Sequence, residues 1–344
     1  MHLLSTTVRR LALAVLALPL LGAAAHASDN KIAVVPGGPH PYFASWPTAA
    51  ADAAKAFGIA DVEDKVPSDW KLELQTELLE SLASQGFKGF GIFPGDPVGI
   101  NSTVTELKSA GIPSVALGGC ASDPTDVDFC LATDPYKTTY TMTKALIAAI
   151  GGKGNIVHLT GLLVDPNTTL REQAVEKAVA ETNGAVKLLQ TVADTDDEEK
   201  GDQKINALLA AQKGSIDGIV ATAHITSEVT AKALRALGDK RIKLIAFDDD
   251  PNVLSAVKDG FAEATFVQNP YGQAYIGAYA LDQLASGCTI SANAPWVKTP
   301  QTAHFIDSGV YEVTADKLGT YQDNVKQMTA DIMKDFKAKY LTCN

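Results

Sequence analysis

Short apolar runs and helix-favouring stretches alternate along this chain from Ile32 to about residue 285. Ile32–Val35, Gly89–Phe93, Pro113–Leu117, Asp128–Ala132 and Asn155–Leu159 predict strands, as do Val186–Val192, Gly218–Ala221, Ile242–Phe247 and Ala264–Val267. Ala60–Lys65 reads as a further strand. Between them the pattern predicts helices, among them Ala44–Phe57, Trp70–Gln85 with Asp69 as its N-cap, Pro97–Ala110, Thr168–Thr182 and Ser227–Leu237. Strands with no polar alternation are buried on both faces, and intervening helices supply the crossovers of parallel sheets. The fold class is therefore α/β, with about ten strands divided between two doubly wound parallel-sheet lobes. A closed (β/α)₈ barrel is the rival. The strand count and the loss of rhythm after Gly287 weigh against it.

The first strand stops at Pro36-Gly37-Gly38-Pro39 and delivers His40, Tyr42, Phe43 and Trp46 into the segment beyond it. Ligands of open α/β sheets bind beyond the carboxyl ends of strands. Rings placed there line a pocket or pack as core, and this stretch alone leaves both readings open.

The ends of the chain change the picture. Residues 1–27 carry Arg9 and Arg10, an apolar run Leu11–Leu21 and a small-residue cleavage pattern at Ala25-His26-Ala27. These are the marks of a secretory signal peptide cleaved after Ala27. The apolar run is short for a bilayer span of roughly 20 residues. The whole chain has a formal net charge of −11, and losing the leader makes it more acidic. No basic patch offers a footing for nucleic acid or anionic lipid.

Four cysteines, Cys120, Cys130, Cys288 and Cys343, enter an oxidising compartment, where three pairings are open to them. A local Cys120–Cys130 bridge is preferred, leaving Cys288–Cys343 to pin the C-terminal tail. A metal site lacks any CxxC or His/Cys spacing. The acids of Asp194–Asp202 read as a helix N-terminus in preference to a calcium loop. Nucleophile elbows, zincin motifs, phosphate loops and dinucleotide fingerprints are absent, and neither cofactor nor metal is called for.

Four segments resemble the ribose-type periplasmic sugar-binding proteins, the type I receptors of ABC sugar importers. Ile32–Trp46 parallels that family's first strand and aromatic loop, placing His40, Tyr42 and Phe43 against ligand. Gly91-Ile-Phe-Pro-Gly-Asp96 parallels a ligand-contacting strand end, with Phe93 and Asp96 there. Ile245-Ala-Phe-Asp-Asp-Asp-Pro251 puts Asp248 at the family's sugar-binding aspartate, and Ala264-Thr-Phe-Val-Gln-Asn-Pro270 puts Gln268 at its glutamine. Asn167-Thr-Thr-Leu-Arg171 falls where a ligand-binding arginine starts a second-lobe helix. His224 and Thr226 fall on a ligand loop. Where many relatives carry an Asp-Arg pair, this chain has Gly118-Gly119-Cys120. That departure points away from ribose, towards a polyol, deoxy sugar or furanose.

The resemblance implies two α/β lobes joined by a three-segment hinge. Residues 28–133 with 268–294 would form the first lobe, and residues 134–267 with 295–344 the second lobe and tail. It implies a monomeric periplasmic receptor that captures a small sugar or polyol and delivers it to an ABC permease, a role compatible with a chemoreceptor partner. Flat rings suit the C–H faces of a sugar, and Asp248, Gln268 and Arg171 can each serve two hydroxyls. A receptor for a furanone, nucleoside or amide is the alternative. A secreted hydrolase using His40, Asp96, Asp248 and His224 is a weaker one.

Overall fold

The computed structural model describes residues 28–165 and 167–343; the leader and its cleavage site lie outside them. The chain opens with β1 (Ser28–Val35), a 3₁₀ turn Pro41–Ser45, α1 (Trp46–Phe57) and β2 (Ile59–Asp64). Next come α2 (Leu72–Ser84), β3 (Gly89–Ile92), α3 (Ile100–Ser109), β4 (Ser114–Leu117) and β5 (Cys130–Ala132). It then enters a second unit through α4 (Pro135–Ala149), β6 (Gly154–Leu159), α5 (Thr168–Ala180) and β7 (Val186–Val192). That unit continues with α6 (Glu198–Gln212), β8 (Gly218–Ala221), α7 (His224–Leu237), β9 (Lys243–Phe247), α8 (Pro251–Asp259) and β10 (Ala264–Val267). The chain returns with α9 (Pro270–Ala285), followed by β11 (Thr289–Ile290), β12 (Phe305–Asp307), β13 (Tyr311–Val313), α10 (Tyr321–Tyr340) and β14 (Leu341–Thr342).

The two large sheets have the same order. One runs β2-β1-β3-β4-β5-β12 and the other β7-β6-β8-β9-β10-β13. All pairings within them are parallel except β10 with β13. Each sheet reverses direction of growth between its first and third strands, which opens a crevice at the strands' carboxyl ends. Ile32–Val35 is wholly buried, as double coverage by helices requires. The first sheet packs Val34, Val115 and Leu117 against α1 and α9 on one face, and Phe90, Ile92 and Ala116 against α2 and α3 on the other. The second sheet is covered likewise on both faces.

Two expectations change. Residues 295–344 do not belong wholly to the second lobe. β12 extends the first sheet, pairing Phe305 with Cys130, and the third crossing falls at Ser308–Val310. Three consecutive backbone pairings satisfy β5's outer edge, a demand that the sequence pattern near the expected boundary between residues 294 and 295 does not reveal. Thr133 Oγ1 donates to Gly309 O at 3.0 Å, tying the first crossing to the third. Asp69 is not the cap of α2. It accepts from Trp70 N–H at 2.9 Å, and the helix starts only at Leu72, leaving Trp70 in the loop.

α10 touches both lobes. Tyr321 packs with Val267 and Val313 of the second, while Phe336 is buried in the first. Beyond it β14 pairs with β11, and Cys343 bonds Cys288. Cys120 bonds Cys130. The chain-entropy relation gives about 4 kcal/mol for the 55-residue loop and about 3 kcal/mol for the 10-residue loop. Cys288→Ser/Cys343→Ser is expected to lower the melting temperature more than Cys120→Ser/Cys130→Ser. Scanning calorimetry of the two double variants checks this, and the reverse ranking would overturn the assignment of the tail as the larger constraint.

Candidate functional site

Strand ends from both sheets converge on one cavity of about 40 Å³ between the lobes. On the first lobe, β1 supplies His40, Tyr42 and Phe43, β3 supplies Phe93, and the turn before α2 supplies Trp70. Glycines at 37 and 38 allow this meeting. A Cβ at Gly37 would lie 2.9 Å from the Trp70 ring, and one at Gly38 would lie 2.8 Å from the Trp70 backbone. Phe93 stands edge-on to Phe43 and Trp70, with centroids 5.3 and 5.5 Å apart, the favourable T-shaped arrangement. Trp46 is core, wholly buried behind Phe43.

Gln75 positions this wall. Its amide donates to Pro36 O at 2.9 Å and Phe93 O at 2.7 Å, and accepts from Gly95 N–H at 2.9 Å. One buried side chain thus ties the ends of β1 and β3 together. Tyr42 Oη donates to Gln273 Oε1 at 2.8 Å; burial, then the Asp248 charge, push its phenol pKa up and keep it neutral.

The second lobe contributes the charges. Arg171, in the first turn of α5, holds Asp165 at 3.3 Å and lies 5.4 Å from the Phe247 ring centroid. Burial raises the Asp165 carboxyl, with the Arg171 charge opposing. Asp196, after β7, accepts from Ile225 N–H at 2.8 Å, at the start of α7. Its own burial would raise its pKa, but His40, His224 and Arg171 together hold it below the usual carboxylate value.

Asp248 follows β9 with φ at 64°, a left-handed conformation that aspartate tolerates better than most residues. It accepts from Gln268 Nε2 at 3.1 Å and lies 3.4 Å from His224 Nδ1. The cap of α8 is Asp250, which accepts from Asn252 N–H at 2.7 Å, so Asp248 is left free to face the cavity. Burial disfavours charge on His224, yet the Asp248 contact and the charges of Asp248, Asp196 and Asp250 outweigh it and raise the imidazole to about 9.

The structure therefore brings His40, Tyr42, Phe43, Phe93, Arg171, His224, Asp248 and Gln268 to one cavity. It does not bring Asp96 or Thr226 there. Asp96 accepts from Val98 and Gly99 N–H at 2.9 and 2.7 Å, bracing the turn before α3. Thr226 is wholly buried beneath Asp196, its hydroxyl 3.0 Å from that of Thr195. The sequence pattern missed Trp70, Asp165, Asn167 and Asp196. Asp165 lies beyond β6 and obeys the same strand-end rule as its neighbours. Asp196 was hidden among acids assigned to a helix N-terminus, whose cap is in fact Asp197.

A larger cavity of about 570 Å³ adjoins Tyr42, His224, Asp248 and Gln268 on the side facing α10. Two of its three carboxylates are engaged by phenols, Asp52 by Tyr271 at 2.7 Å and Asp249 by Tyr321 at 3.2 Å. Among the described residues no group of three or more His, Cys, Asp or Glu could hold a metal, and no helix is long and apolar enough to cross a membrane.

Residues 32–289 match the family described as "Periplasmic binding protein domain". The chain belongs to that family. As a periplasmic binding protein it is 24% identical over 284 residues to the xylitol-binding protein of Mycolicibacterium smegmatis, covering 82% of this chain and 79% of the relative. It is 22% identical over 262 residues to the D-apiose import binding protein of Paraburkholderia graminis, covering 76% and 83%. An ABC transporter solute-binding protein from Burkholderia graminis, solved with D-arabinose, superposes with a TM-score of 0.75 at 25% identity, covering 86% of this chain and 98% of that one. A solute-binding protein from Actinobacillus succinogenes, solved with D-allose, shares the fold at a TM-score of 0.74 and 20% identity, covering 85% and 100%.

The raised His224 pKa makes the fold favour its protonated form. That stabilisation is full below the ordinary value of 6.5 and is lost as pH rises through about 9. The melting temperature of the wild type is therefore expected to fall across this window, and His224→Gln to flatten that fall. Identical pH slopes for the two proteins in thermal melts would refute it.

Proposed function

We propose that this periplasmic binding protein is a receptor that closes around one small sugar or polyol and hands it to an ABC permease. The observation that carries the reading is a set of buried polar atoms with hydrogen-bonding capacity left unused. His40 Nε2, Arg171 Nε and His224 Nδ1 make no hydrogen bond, although the two imidazoles face Asp196 and Asp248 at 3.2 and 3.4 Å, and all three residues line the same cavity. Unused hydrogen-bonding capacity in a buried site is unfavourable, so a polyhydroxylated ligand gains by supplying oxygens there. Phe43, Phe93 and Trp70 offer apolar surface to its C–H groups. A small polyhydroxylated ligand is in keeping with the relatives named for xylitol and D-apiose and with the related structure solved with D-arabinose.

Function then needs only binding and lobe closure about the hinge at Thr133, Gln268 and Ser308–Val310. Asp96, one of the four groups of the hydrolase reading, is not among the described residues that line the cavity, and its carboxylate braces the turn before α3 instead. We place the protein in the periplasm, cleaved after Ala27 and acting as a monomer, with a chemoreceptor as a further partner compatible with this role. Mass spectrometry of ligand released from gently purified protein separates a sugar or polyol from a furanone, nucleoside or amide.

Titration calorimetry with a panel of pentoses, tetritols and pentitols tests the reading. At least one is expected to bind, and Asp248→Asn is expected to weaken it by about ten- to a hundredfold, the cost of mismatching a buried carboxylate. No binding or thermal shift across the panel would count decisively against a sugar or polyol receptor.

A further inference from the structure

Two polar contacts between described residues join the lobes directly across the cleft. His40 of the first lobe places Nε2 3.2 Å from Asp196 Oδ2 of the second. Asn167, in the turn before α5, donates Nδ2 to Gly118 O, in the turn after β4, at 3.3 Å. All four residues line the ligand cavity.

Both members of the first pair are oriented from behind, without help from a ligand. His40 Nδ1 accepts the Tyr42 N–H at 3.1 Å, which leaves the ring proton on Nε2, facing Asp196. The imidazole edge is also flanked by Phe43 and Trp70, with centroids 6.2 and 6.3 Å away. Asp196 Oδ1 is held by Ile225 N–H at the start of α7, where the helix dipole favours a carboxylate. Nε2 makes no hydrogen bond in this pair, so the carboxylate faces the polar ring edge at 3.2 Å and the N–H remains available to a small ligand. The second pair is constrained too. Gly118 has φ at 76°, and a Cβ there would lie 3.0 Å from Phe93 and 3.1 Å from Gln273 Oε1.

We propose that His40–Asp196 and Asn167–Gly118 form a cross-cleft clasp that makes Asp196 a specificity-determining residue. By bridging the cleft with protein atoms, the clasp takes up space that a longer ligand would occupy, and it restricts the closed cavity to short ligands. It also supplies part of the closing force without ligand. The selectivity part rests on the receptor reading above, whereas the closing force can be measured independently.

The experiment compares wild type, Asp196→Ala, Asp196→Asn and Asn167→Ala. The Asn variant keeps an acceptor for Ile225 N–H and removes the charge facing His40, so it guards against misfolding. Calorimetry uses linear polyols of four, five and six carbons, and small-angle scattering of ligand-free protein reports lobe opening. Wild type is expected to bind the six-carbon chain at least about tenfold more weakly than the better of the shorter ones, a discrimination of the size expected for a steric limit. Asp196→Ala is expected to narrow that ratio by about fivefold or more. Asp196→Asn and Asn167→Ala are each expected to raise the ligand-free radius of gyration. Equal weakening of all three ligands with unchanged scattering would overturn the clasp and leave Asp196 a simple ligand contact, as would wild-type binding indifferent to length. If no polyol or sugar binds wild type, the receptor reading fails, and unchanged scattering in the folded variants would then overturn the clasp separately.

Discussion

Buried charge is the constraint on which this protein's interior is arranged. Asp165, Asp196 and Asp248 are drawn into a cavity with Arg171, His40 and His224, and a charge taken from water is tolerable only when it is matched. The matching is shared around the cavity. Arg171 answers Asp165, His224 answers Asp248, and Asp196 is answered by His40 together with the amides opening α7. Asp165 and Arg171 share the end of β6, whereas the other two pairs join different strand ends, β8 with β9 and β1 with β7, so the second lobe's internal packing and the approach of the two lobes both answer to one electrostatic balance. The shift of His224 to about 9 and the lowering of Asp196 are two aspects of that balance.

The topology explains why the charges meet there. Both sheets change direction between first and third strands, and their carboxyl ends face one another. The loops after β1 and β3 on one side, and after β6, β7, β8 and β9 on the other, thus reach the same volume. Aromatic side chains fall to the first lobe and ionised ones to the second. A ligand with C–H faces and hydroxyls meets apolar surface on one side and hydrogen-bonding groups on the other.

Much of this was legible in the sequence because the signals are local. Uniformly apolar strands announce themselves, and a strand stopped by Pro36-Gly37-Gly38 says where its loop begins. Asp248 was assigned through the resemblance, which sets Ile245–Pro251 against the family's segment with a sugar-binding aspartate. What escaped depends on register or on distant partners. Whether Asp196 or Asp197 caps α6 is a shift of one residue with opposite consequences, since the cap turns to a helix while its neighbour enters the cleft. Trp70 carries the apolar pattern of a helix but sits two residues before it, held by Gly95 O at 3.2 Å. Asp96 looks like a binding residue at a strand end, and nothing short of its bonds to Val98 and Gly99 shows that it serves the backbone. The three-residue β12 is too short for any periodicity, and the third crossing was misplaced on that account.

The late return of α9 bears on how the protein is made. Residues 28–132 contain five of the first sheet's six strands, yet the face bearing Val34 and Leu117 is covered in part by α9, which begins only at Pro270. Contacts between segments so far apart in the chain are slow to form, because the loop between them must first be closed. The second sheet has no such dependence for five of its strands, all contained between Gly154 and Val267. As the chain emerges N-terminus first, the lobe that starts first is therefore the one that finishes last, holding a partly uncovered apolar sheet while its neighbour assembles. Tyr321–Tyr340 and the Cys288–Cys343 bond complete that lobe from the very end of the chain.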